Sequence, residues 1–158
     1  MHKTKNDISK TNREKIVALL NQSLADAADL KSQAKQAHWN VKGMNFIALH
    51  ELFDQVAGEV ETMIDDIAER ITSLGGTAMG TVRLAAENSS LSEYPHEITD
   101  GTAHVDALST ALADFGKKAR ANIDKTDKIG DADTADLYTE VSRNIDKLLW
   151  FVEAHIQD

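Results

Sequence analysis

The sequence predicts an all-α protein, a four-helix bundle with a long crossover between its second and third long helices. Three observations carry this. The chain of 158 residues has one proline and eight glycines, so helix breakers are few and clustered. Apolar residues recur at helical spacing over four stretches, each far longer than the roughly 11–12 residues of an average helix. Between the second and third stretches lies a segment, residues 77–100, in which Thr77, Gly80, Asn88, Ser89, Ser90, Ser92 and Pro95 break the pattern. A connection that long lets its flanking helices run parallel, whereas a short turn makes antiparallel neighbours.

Residues 1–12 (MHKTKNDISKTN) are polar and lack periodicity, and they hold Lys3, Lys5 and Lys10 against Asp7. They are expected to form a flexible basic tail, with the bundle domain spanning 13–158. The first long helix is expected to start after Thr11 or Asn12 and to carry Ile16, Leu20, Leu24, Ala27, Leu30, Ala34 and Ala37 on one stripe. Gly43 is its stop. The second runs from near Asn45 through Leu49, Phe53, Val56, Val60, Met63, Ile67 and Ile71 to the Gly75-Gly76 pair. Within the crossover, Val82–Glu87 reads as a short helix. The third helix covers about 100–126, with Val105, Leu108, Leu112 and Phe115 inward. The last covers about 133–157, with Leu137, Val141, Ile145, Leu148 and Val152 inward.

A formal net charge of -9 argues against a body that binds nucleic acid over its whole surface and suits a protein that attracts cations. There is no cysteine, which excludes disulfides, thiolate metal sites and thiol nucleophiles. Any metal must be held by imidazole and carboxylate, a donor set that suits iron, manganese or zinc. No apolar run approaches the roughly 20 residues of a spanning helix, and no secretory leader is read at the start. The expected compartment is the cytoplasm.

The second helix carries an unusual stripe. Counting 100° per residue from His50, Asp54 falls at about 40°, Asp65 at about 60° and Glu69 at about 100°. Glu61 joins them. His50 and Asp54 are one i, i+4 pair, and Asp65 and Glu69 another. The pairs cannot share an ion within one helix, because Asp54 and Asp65 are about 16 Å apart along the axis. The midpoint of His50 and Glu69 falls between Glu59 and Val60, and so does the midpoint of Asp54 and Asp65. Two such helices crossed antiparallel about a two-fold axis at that point bring His50 near the partner's Glu69, and Asp54 near the partner's Asp65. The operation generates two identical sites. Ala57 and Gly58, beside the crossing, permit close approach. His38 lies on the inward meridian of the first helix and, in a helical hairpin, faces His50 and Asp54. The candidate site is therefore His38, His50 and Asp54 from one chain with Asp65 and Glu69 from a second copy. Two imidazoles and three carboxylates suit Fe(II), with Zn or Mn as competitors. Taken singly, a histidine on such a face is more often a satisfied core residue, and a carboxylate stripe is more often a solvated surface. The shared midpoint is what joins them.

The segment H-W-N-V-x-G-x-x-F-x-x-L-H-E-L-F-D at His38–Asp54 resembles the signature of the Dps family, DNA-binding proteins from starved cells. The resemblance extends to Ala68–Gly80, Asp133–Leu137 and Ser142–Glu153. It implies a ferritin-like bundle assembled as a dodecameric mini-ferritin. It also implies a ferroxidase that oxidises Fe(II), preferably with hydrogen peroxide, and stores the ferric oxide in its shell. The family's inter-subunit ligands fall on His38, His50, Asp54, Asp65 and Glu69, none substituted, and its site tryptophan falls on Trp39. Asp131, Asp133 and Asp136 match the family's acidic pore and imply an ion entrance, while Asp133 also reads as a helix N-cap. Lys3, Lys5 and Lys10 resemble the lysine tails with which some members contact DNA. A ferritin with its di-iron site inside one bundle fits less well, because the only Glu-x-x-His, Glu93–His96, contains Pro95 and lies in the crossover. The remaining alternative is a DNA-compacting or structural particle with a vestigial site.

Overall fold

The computed structural model describes residues 1–157. Its helices are α1 (Lys10–Asn40), α2 (Phe46–Ser73), α3 (Val82–Asn88), α4 (Gly101–Ile129) and α5 (Ala132–Glu153). The long helices form the four-helix bundle, and α3 rides in the crossover.

The hairpin of α1 and α2 is antiparallel, as the Lys31–Glu61 and Lys35–Asp54 bridges, both 2.6 Å, require. Helices α2 and α4 begin at the same end and run parallel. There Leu49 packs on Gly101, and the Phe53 ring lies 6.4 Å from that of His104. A short backbone link, Lys42 N–H to Thr99 O at 2.9 Å, ties the α1–α2 turn to the start of α4. At Gly116 a Cβ would sit 3.0 Å from the Ile145 methyl, so this glycine sets the approach of α4 to α5.

The crossover is strapped to α1 by polar groups that sequence periodicity does not reveal. Buried Asp26 accepts the Ser90 N–H at 2.7 Å and the Ser90 hydroxyl. Gln22 donates to Asn88 O, Gln33 to Ser92 O, and Asn21 to Thr77 O. These bonds satisfy backbone groups at the end of α3 and in the non-helical parts of the crossover that would otherwise be costly to press against a helix.

Several boundaries differ from expectation. Ser9, not Thr11 or Asn12, caps α1, accepting from Asn12 N–H. Lys10 is therefore helical and pairs with Glu14 at 3.7 Å. His2 N–H bonds Gly75 O at 2.6 Å, and Ile8 packs on the core. Helix α4 continues to Ile129, where left-handed Gly130 ends it. Helix α5 stops at Glu153, short of the expected end. Its inward face also includes Tyr138, and Leu137 packs partly buried against the core beside it. Tyr138 is fully buried because its hydroxyl lies 2.9 Å from Ser23 Oγ, which resolves the cost of burying a phenol.

One core histidine has a pH signature. His104 is buried, with Nδ1 2.7 Å from the Tyr94 hydroxyl and Nε2 without a hydrogen-bond partner. Burial holds its pKa below the ordinary 6.5, against the opposing pull of the Ile98 and Asn40 backbone and Asp100. The unfolded chain then takes up a proton first as pH falls. This contribution is complete above about 6.5 and declines as pH drops through the folded-state value. Denaturant unfolding between about pH 7 and pH 5 should show a shallower loss of stability in His104→Leu than in the parent.

Candidate metal centre

The α1–α2 hairpin places His38 in the last turn of α1 and His50 early in α2. The two imidazoles stack, with centroids 3.7 Å apart and planes 23° from parallel. Each is held by the backbone of the other. His38 Nδ1 lies 2.7 Å from His50 O, and His50 Nδ1 lies 2.8 Å from His38 O. A carbonyl oxygen can only accept, so both Nδ1 atoms are donors and carry protons. In the neutral rings this leaves each Nε2 as a lone pair. Fixing a ligand's tautomer through its other ring nitrogen is how proteins prepare histidines for metal. The chemistry of this donor set fits a divalent transition metal.

Asp54 lies one turn beyond His50, exposed, and receives the Lys35 ammonium on Oδ1 at 2.6 Å. That hydrogen bond, opposed by desolvation and aided by the charge of Lys35, holds its pKa below the ordinary carboxylate value. Lys35 also sits 5.6 Å over the Trp39 ring, and Trp39 itself is 67% exposed. Asp65 and Glu69 are exposed on the same helix but far away, Glu69 being about 28 Å along the axis from His50. Glu61, the other member of the stripe, is taken by Lys31. The hairpin thus brings His38, His50 and Asp54 together on one surface and leaves Asp65 and Glu69 apart. Among the described residues, no three His, Asp or Glu side chains within the chain converge closely enough to hold a metal ion.

The candidate ion entrance is also rearranged. Asp131, not Asp133, caps α5, accepting from Thr134 N–H at 3.0 Å. Its side chain is 1% exposed and paired with Arg70 at 2.7 Å. Burial alone would raise its pKa, but the Thr134 hydroxyl and N–H and the Arg70 guanidinium outweigh it and bring the value below normal. Buried and already accepting three hydrogen bonds, Asp131 anchors the start of α5. Asp133 and Asp136 remain exposed and line an open concavity with Asp66, Glu69 and Glu140. The roles of Asp66, Arg70 and Glu140 there escaped the sequence reading. Lys3 and Lys5 are exposed.

A four-helix bundle with a long parallel crossover and an imidazole–carboxylate surface on its first hairpin defines a ferritin-like protein. Consistently, the ferritin-like domain family matches residues 17–158. The chain belongs to the Dps family within that class. It is 43% identical to the DNA protection during starvation protein of Agrobacterium fabrum, over 99% of this chain and 97% of that one. Its fold matches Mycobacterium smegmatis Dps with a TM-score of 0.94 at 30% identity, covering 99% of this chain and 95% of that one. It matches Dps from Microbacterium arborescens, solved in a high iron form, with a TM-score of 0.88 at 31% identity, covering 95% and 97%.

Proposed function

We propose that this chain is the subunit of an iron-oxidising and iron-storing mini-ferritin whose ferroxidase centres lie between two copies. The observation that carries the reading is the reciprocal Nδ1–carbonyl pairing of His38 and His50, which leaves both Nε2 atoms ready for metal. The high iron form of the Microbacterium relative supports iron as the metal. Each centre comprises His38, His50 and Asp54 from one subunit and the partner's Asp65 and Glu69. Ala57 is buried, and a Cβ at Gly58 would meet nothing within 4 Å, so the crossing point has room for a second helix.

Fe(II) is the substrate. Two ferrous ions each yield one electron to hydrogen peroxide, which takes two protons and leaves as two waters. No hydroxyl radical is released when both electrons arrive together. Carboxylates favour the ferric product, and the imidazoles leave positions open to the oxidant. Asp133 and Asp136 draw iron toward the shell of twelve chains, where the oxide is stored. Zinc, with the same donor preference, competes. The exposed Lys3 and Lys5 serve as weak DNA contacts, made useful by twelve-fold repetition and lost steeply as salt rises. Chemical protection of DNA by removing iron and peroxide needs no such contact. No described helix is long and apolar enough to cross a membrane.

The test combines native mass with anaerobic Fe(II) loading followed by peroxide. A particle of twelve chains that forms ferric iron rapidly with little spin-trapped hydroxyl radical is the expected result. A monomer, or a particle oxidising iron no faster than buffer, would remove this reading.

A further inference from the structure

Behind the hairpin that carries His38 and His50, the core holds a phenol and an imidazole in direct contact. Tyr94, in the crossover, has its hydroxyl 2.7 Å from Nδ1 of His104 at the start of α4. Both side chains are buried. The imidazole also meets the roots of both helices of the hairpin. Phe53, three residues after His50 on α2, has its ring 6.4 Å away, and the backbone of Asn40, two residues after His38 at the end of α1, lies beside it. Burial lowers the His104 pKa and raises that of Tyr94, so at neutral pH the ring is neutral and the phenol keeps its proton. The hydroxyl then donates to Nδ1. His104 Nε2 has no hydrogen-bond partner, a cost that a mere tie between the crossover and α4 does not require. The chain has one other tyrosine, Tyr138, whose hydroxyl meets Ser23 Oγ rather than a base. The nearby Asp26 carboxylate is taken by Ser90 and Gln22. A phenol gives up an electron readily only if its proton leaves at the same time, because the protonated radical is a strong acid. Tyr94 is the tyrosine with a base in place to take that proton.

Resting on the ferroxidase reading, we propose that Tyr94, with His104 as its proton acceptor, donates one electron to the centre when peroxide meets a single Fe(II). Peroxide needs two electrons and two protons to become two waters. A lone ferrous ion supplies one electron and would leave hydroxyl radical. Tyr94 supplies the second. Its O–H bond breaks, the proton passes to His104 Nδ1, and a neutral phenoxyl radical remains beside an imidazolium. The iron ends ferric, and the two protons that complete the waters come from solvent. The Ile98 and Asn40 backbone and Asp100, which favour a charged ring, stabilise that imidazolium. With two Fe(II) in the centre, both electrons come from iron and the tyrosine is not consumed.

The test is freeze-quenched electron paramagnetic resonance on the assembled protein, loaded anaerobically with one Fe(II) per centre and mixed with peroxide. A tyrosyl signal that narrows when the protein carries ring-deuterated tyrosine is expected in the parent and in Tyr138→Phe. It should be lost in Tyr94→Phe. Spin-trapped hydroxyl radical should rise in that variant at one Fe(II) per centre but not at two. His104→Gln keeps a polar side chain and removes the base, so it should lose most of the signal. That variant carries the test if Tyr94→Phe does not assemble. A signal that survives both substitutions, or that is lost in Tyr138→Phe, overturns the proposal. Ferric iron formed without any tyrosyl signal also overturns it and leaves the ferroxidase reading intact. If no ferric iron forms, that reading fails and the proposal fails with it.

Discussion

Replacing His50 by alanine is expected to slow peroxide-driven Fe(II) oxidation by at least about 100-fold, since even an outer partner of a metal ligand is worth about 10–100-fold. The fold should survive. His50 is half-buried, and its backbone carbonyl, which orients His38, remains after the substitution. Glu69→Gln should cause a comparable loss although Glu69 is about 28 Å away along the same helix. The sharper expectation concerns mixtures. In a dimer of one His50→Ala chain and one Glu69→Gln chain, the two-fold arrangement puts both defects into one centre and leaves the other centre intact. Random reassembly of the two inactive variants should therefore restore about a quarter of the sites. A centre contained within one chain would recover nothing on mixing. Oxidation rates before and after dissociation and reassembly decide between them.

The extent to which this centre was legible follows from what each feature depends on. The stripe on α2 and the hairpin partner His38 depend on helical periodicity, which the spacing of apolar residues encodes directly. The four long helices and the short one in the crossover were legible for the same reason. The tautomers of His38 and His50 were not, because they depend on two backbone carbonyls from the facing helix. Lys35 carried a usable signal, standing one turn from His38 on the same face, but its carboxylate partner is on α2 and emerges only when the hairpin is assembled. Asp131 and Asp133 show the limit most plainly. Both are plausible N-caps in sequence, and a shift of the helix start by a residue or two decides between them. Arg70, 61 positions earlier, settles it by binding Asp131 in the core. Local propensity cannot anticipate a cap chosen by a tertiary partner.

That choice makes Asp131→Ala the second large expectation, a loss of about 3–5 kcal/mol in unfolding free energy. Three functions disappear together. The N-cap bond to Thr134 N–H is lost, worth about 1 kcal/mol. The Thr134 hydroxyl loses its acceptor. Arg70, only 18% exposed, is left without its closest counter-charge and keeps Asp133 at 3.8 Å as a weak substitute. The uncompensated guanidinium dominates the cost, so Asp131→Asn, which retains the shape and a cap acceptor, should lose roughly half as much. The pH dependence separates this site from His104. Because Asp131 titrates below its unfolded value of 3.8, its stabilisation is complete above that pH and is lost only as pH falls through the lower folded value. The stability gap between the parent and Asp131→Asn should therefore be flat through mild acid and close only in strong acid, whereas the His104 contribution declines below about 6.5. Denaturant titrations across that range would show both. A gap that instead widens as pH falls from neutral towards about 4 would mean that Asp131 is protonated in the fold. In that case Arg70 would not anchor the start of α5, nor would the pair position Asp133 and Asp136 at the rim of the acidic concavity.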